Sequence, residues 1–146
     1  VAGGRWSSAI ASMKYSSTMG TAIYPQAAIA EFLRTGGYDA HLRKLRHTLH
    51  KQMAQMRDAI VRHFPAETVV SNPSGGYVLW IRLPDGCLSS RRLFEQARRE
   101  GIGIAPGYLF AAGGQFDDCI RLNAGFGWNK DVEQAIQTLA GMLGKP

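Results

Sequence analysis

The chain has 146 residues, 45% of them hydrophobic and 19% charged, with a formal net charge of +6 at pH 7. That is the size of one ordinary domain with enough apolar material for a core, and with too little charge for a coiled coil or a polyelectrolyte tail. The longest nearly uncharged apolar strip, Gly75 to Ile81, is strand-sized and far short of the roughly 18 to 20 residues of a membrane span.

The opening residues Val1-Ala2-Gly3-Gly4-Arg5-Trp6 contain no initiator methionine, basic n-region or apolar signal core, and they read as part of a longer chain. Next, Ser7 to Tyr15 has a helical pattern. A short helix is predicted over Pro25 to Leu33, with Pro25 at its first position and Gly36-Gly37 as its stop. Asp39 is expected to cap a long helix to about Phe64, which Pro65 ends. Its apolar residues Leu42, Leu45, Leu49, Met53, Met56, Ile60 and Phe64 recur by threes and fours, a single-face stripe about six turns long.

Beyond Pro65 the rhythm changes. Thr68 to Ser71 reads as a short strand, Asn72 to Gly76 as a turn, and Tyr77 to Leu83 as a strand buried on both faces. Ser89 or Ser90 caps a helix with Leu93, Phe94 and Ala97 turned inward, and Gly101 ends it. Ile102 to Ala105 and Cys119 to Ala124 read as two further strands. Asn129 or Asp131 starts a last helix, with Val132, Ala135, Ile136, Leu139 and Leu143 on one stripe. The expected fold class is therefore α/β with an α+β small domain: a long linking helix, then β-β-α-β-β-α as a mostly antiparallel sheet with two helices on one face. The expected division is a remnant at 1–37, a linking helix at 38–64 and a compact domain at 65–146.

Several chemistries are disfavoured. Cys87 and Cys119 form no C-x-x-C and cannot build a disulfide framework, which fits a reducing cytosol. The run Gly101 to Gly107 has its third glycine one position too late for a dinucleotide fingerprint, and it follows a helix where a strand is required. His41, His47, His50 and His63 all fall on the long helix without a carboxylate or cysteine at ligand spacing, so they read as solvated and no metal site is expected. Neither a nucleophile elbow nor a carboxylate pair is evident. Arg43, Lys44, Arg46, Arg91, Arg92, Arg98 and Arg99 read as solvated helix faces, without the aromatic interleaving of a single-strand binder. Lys14 reads as a surface residue, not the pocketed amine of a Schiff-base site.

Arg121 stands apart. In Cys119-Ile120-Arg121-Leu122-Asn123-Ala124, strand alternation sets Arg121 and Asn123 on one face and Ile120 and Leu122 on the other. A mid-strand arginine needs a partner. Its planar fork suits a carboxylate, supplied either by an internal acid or by a ligand.

Three segments in order, Asn72 to Trp80, Gly101 to Phe110 and Cys119 to Asn123, followed by a terminal helix, resemble the C-terminal part of fold-type I, pyridoxal-phosphate-dependent aminotransferases. Upstream, Gln26 to Leu33 and Gly36 to Arg46 are similar to the MocR branch of GntR-family transcriptional regulators. In that branch an aminotransferase-like domain follows a winged-helix DNA-binding domain. The resemblance implies that Arg121 grips the carboxylate of an amino-acid ligand, and that Gly76, Tyr77 and Asn123 lie near the substrate pocket. It implies pyridoxal 5'-phosphate in the full-length parent, with the aldimine lysine upstream of Val1, so that no catalytic or cofactor-binding residue falls here and none is expected bound to this stretch. It further implies a cytoplasmic homodimer that contacts DNA only through an N-terminal domain outside this chain, and no membrane. The alternative reading is a working aminotransferase. Residues 1–37, with Trp6, Ile10, Ile23, Ile29, Phe32 and Leu33, would need a partner surface, and self-association or local disorder is expected of them.

Overall fold

The computed structural model describes residues 3–18 and 20–144. Two compact units divide after Arg43. In the first, a 3-10 turn (Gly4–Trp6) leads into helices α1 (Ser7–Thr18) and α2 (Ile23–Arg34). Helix α2 begins two residues before Pro25, which its first turn tolerates because an N–H there lacks an intrahelical partner. Gly36, at φ +74°, makes the left-handed step that separates α2 from α3 (Gly37–His63). Asp39 sits inside the first turn of α3, where it favours the positive end of the helix dipole, and is not its cap. Trp6, Ile10, Ile23, Ile29, Phe32 and Leu33 are all exposed.

The second unit holds a sheet of four strands: β1 (Val69–Val70), β2 (Val78–Arg82), β3 (Ala105–Pro106) and β4 (Cys119–Asn123), in the order β1-β2-β4-β3. Every pairing is antiparallel. Helix α4 (Ser90–Arg99) lies between β2 and β3 in sequence, and α5 (Lys130–Met142) follows β4. The predicted β-β-α-β-β-α order and mixed fold class are therefore observed. Ser89 Oγ accepts from Arg92 N to cap α4, and Asn129 Oδ1 accepts from Val132 N to cap α5.

Three further expectations are corrected. The β2 strand is not buried on both faces: Leu79 and Ile81 are enclosed, whereas Val78 and Arg82 are exposed and Trp80 is half-buried. The covered face is packed by three helices, not two, since Met56, Ala59 and Ile60 of α3 join Leu93 of α4 and Ile136 and Leu139 of α5 around Leu79, Ile81, Ile120 and Leu122. Finally, β3 is shorter than Ile102 to Ala105. Gly101 turns with φ +72°, and Ile102 N donates to Ala97 O at 2.8 Å, so this stretch closes the end of α4 before the ladder starts.

Candidate functional site

Three helices on one face leave the other face of the sheet open, and the pleat decides which residues appear there. On β4 they are Arg121 and Asn123, both exposed, while Ile120 and Leu122 point into the core. Arg121 is the centre of this face, opposite Trp80 on β2 and Ala105 on β3. Trp80 N donates to Ser71 Oγ at 2.9 Å and Trp80 O accepts from Ser71 N at 2.8 Å. Both backbone groups of Trp80 therefore serve the β1 side, and Trp80 and Arg121 form a non-hydrogen-bonded cross-strand pair, the kind in which side chains approach most closely.

The opposite neighbour, Ala105, is small, and the space over Arg121 is taken by Phe110. The Arg121 guanidinium carbon lies 4.6 Å from the centre of the Phe110 ring. Phe110 in turn meets Trp80 edge to face at 5.4 Å, and Trp80 meets Phe116 the same way at 5.5 Å. No acid pairs with Arg121 among the described residues, whose ion pairs are Arg34–Glu31, Arg62–Glu133 and Arg82–Asp118. An internal carboxylate partner is thus not what holds this arginine.

The other sequence-derived pocket residues gather only in part. Asn123 Oδ1 accepts from Gly125 N at 2.7 Å, a local turn that occupies its oxygen. A Cβ on Gly125 would stand 3.0 Å from that oxygen and 3.5 Å from the Tyr77 ring, so Asn123 and Tyr77 both border Gly125. Gly76, at φ +88°, opens on a different cleft of about 400 Å³ between α3 and the Pro73–Gly76 loop, beside Arg46 and His50. Among the described residues no hydrogen bond or ion pair joins Arg121 to Gly76, Tyr77 or Asn123. The aromatic neighbours Trp80, Phe110 and Phe116 were not singled out in the sequence as site residues. The available signal was their placement, Trp80 in mid-strand and the two phenylalanines flanking a glycine-rich loop.

Lys14, Lys44, Lys51 and Lys130 are all exposed. None of these four is the enclosed amine that a Schiff-base cofactor requires. No group of three potential metal ligands occurs among them, and no described helix is long and apolar enough to cross a membrane. The histidines lie on α3 as expected, but His63 departs from the solvated reading: its Nε2 is buried without a partner.

No family model matches the chain. Over 143 residues it is 34% identical to the uncharacterised HTH-type transcriptional regulator YdcR of Escherichia coli, covering 98% of this chain and 30% of that protein. It is 29% identical over 130 residues to 2-aminoadipate transaminase of Thermus thermophilus, covering 89% of this chain and 32% of the relative. The crystal structure of LysN, the α-aminoadipate aminotransferase of Thermus thermophilus complexed with N-(5'-phosphopyridoxyl)-L-leucine, matches with a TM-score of 0.79 and 26% identity, over 94% of this chain and 36% of that one. The chain spans about a third of the length of these relatives. Its relatives are HTH-type regulators and aminotransferases, and its fold is that of the corresponding part of a fold-type I aminotransferase.

Proposed function

We propose that this chain, an aminotransferase-like segment related to MocR-type regulators, is the carboxylate-gripping part of a sensory domain in a longer DNA-binding protein. The parent binds pyridoxal phosphate and an amino-acid-like ligand through residues on both sides of a cleft. Arg121 is this chain's contribution. The observation that carries the reading is the open sheet face, on which Arg121 has an aromatic ring beside it and no acid within ion-pair distance among the described residues. A guanidinium in that state keeps its N–H fork for an external carboxylate. Residues 1–37 are the end of the cofactor domain, 38–64 the linking helix and 65–146 the small domain. The exposed apolar side chains of the first unit, Ile10 and Phe32 among them, are surface that the cofactor domain or a second subunit of a cytoplasmic homodimer covers.

A ligand shifts DNA binding only through different affinity for two states of the protein. Closure of the small domain on a carboxylate supplies that difference. The test uses the full-length protein, with DNA binding measured in the presence and absence of pyridoxal phosphate and amino acids. Arg121→Ala is expected to abolish the amino-acid response while pyridoxal phosphate remains bound, seen by its absorbance. Unchanged amino-acid affinity in that variant refutes the assignment. The similarity to 2-aminoadipate transaminase favours a second reading, in which the parent is a transaminase without a DNA-binding head. Amino-donor turnover by the full-length protein, with no operator binding, selects it.

A further inference from the structure

We propose that Phe110 is the positioning residue for Arg121, its ring packed against the guanidinium so that the N–H fork is held ready for a ligand carboxylate. This rests on the carboxylate role proposed for Arg121 above and extends it to a residue that touches no ligand. A guanidinium carbon 4.6 Å from a ring centre is within cation–π range. The ring offers no lone-pair acceptor, so the contact leaves the guanidinium's N–H fork without an acid partner, whereas an internal carboxylate would occupy the donors themselves. An unstacked arginine on an open face loses substantial rotamer freedom when it grips a ligand, and stacking removes part of that loss beforehand.

Phe110 is itself held from several directions. It ends the 3-10 turn Gly107–Phe110, and Tyr108 in that turn lies beneath the Arg91 guanidinium of α4 at 4.0 Å. Gly107, where the turn starts, is packed so closely that a Cβ there would stand 2.7 Å from Cys119 O and 2.9 Å from Phe116 Cβ. Trp80 meets the Phe110 ring edge to face, and its backbone is fixed between β1 and β4. The ring over Arg121 is therefore set by contacts to β2, α4 and the loop before β4, none of which depends on a ligand.

The experiment measures affinity of the full-length protein for two non-reacting probes, N-(5'-phosphopyridoxyl)-L-leucine and its decarboxylated counterpart N-(5'-phosphopyridoxyl)-isopentylamine, by calorimetry. The ratio of the two dissociation constants isolates the carboxylate, and a general loss of folding or of cofactor-site affinity does not change it. Wild type is expected to prefer the carboxylate probe by about tenfold or more, from charge-assisted hydrogen bonds. Arg121→Met is expected to bring the ratio to near unity. Phe110→Leu is expected to shrink it by about three- to fivefold through the lost stacking, and Phe110→Tyr to restore it. A wild-type ratio near unity overturns the role of Arg121 and this inference with it. A large wild-type ratio that Arg121→Met abolishes and Phe110→Leu leaves unchanged overturns the role of Phe110 alone.

Discussion

Gly107→Ala adds one methyl group where atoms of Phe116 and Cys119 already crowd the backbone. The new Cβ would stand 2.7 Å from Cys119 O and 2.9 Å from Phe116 Cβ, and closer still to Phe116 O. Real Cβ contacts of this kind fall at about 3.4 Å or beyond, so something must move by more than half an ångström. The obstacles are backbone, not flexible side-chain ends. Cys119 is paired with Arg82 in the central ladder, and Phe116 already holds a left-handed φ of 63°. Overpacking costs about 1–3 kcal/mol, and a clash against fixed backbone belongs at the upper end. With an m-value of about 1.5 kcal/mol/M, a loss of about 3 kcal/mol moves the urea midpoint down by about 2 M. Near-UV circular dichroism is the assay, because Trp80 sits between Phe110 and Phe116 and reports their packing. Gly113→Ala is the control, since its Cβ would meet only Gln115 Nε2 at 3.9 Å, and it is expected to change stability by less than about 0.5 kcal/mol. A Gly107→Ala midpoint equal to that control, with the Trp80 signal intact, refutes the steric argument.

Ile120→Ala empties a side chain with no exposed surface at the middle of the covered sheet face, and unfolding titrations should read a loss of about 2–5 kcal/mol. Asn129→Ala removes the oxygen that accepts from Val132 N at 2.9 Å, and should destabilise the protein by about 1 kcal/mol, with faster amide exchange confined to the first turn of α5. The Cys119 thiol titrates above its ordinary value, chiefly because of burial and then because it donates to the Asp118 carboxylate, while Arg82 opposes the shift. Its contribution to stability is therefore complete below the unfolded thiol pKa and is lost as pH rises through the higher native one. At pH 8, iodoacetamide followed by peptide mass analysis should modify half-buried Cys87 well before Cys119; equal rates would contradict the burial of Cys119.

Much of this molecule is legible in short stretches of sequence. The three-four spacing from Leu42 to Phe64 specifies α3, and Ser89 and Asn129 mark the starts of α4 and α5, because helix periodicity and capping involve residues only a turn apart. Alternation in Cys119–Asn123 likewise separates Arg121 from Ile120 and Leu122 without reference to any other strand. The length of β3 was not legible, since Ile102 has a strand-like side chain but its backbone is engaged by Ala97 at the end of α4. Nor was the open face of β2: its run of apolar residues suits burial on both sides, and only the placement of three helices on one side leaves Trp80 half-uncovered.

The candidate site divides in the same way. The residue type and strand position of Arg121 are local facts, and they suffice to single it out. Its neighbours are not local. Trp80 reaches it through the β2–β4 register, and Phe110 through a turn tied down by Gly107 and Arg91. Which elements form, and which face of each is apolar, follows from interactions within a few residues along one segment, so the linear chain already carries that information. Whether Arg121 meets an aromatic ring or an acid does not follow from any one segment. Strand register and loop closure bring together residues far apart in the chain, and here they set Phe110 over the guanidinium.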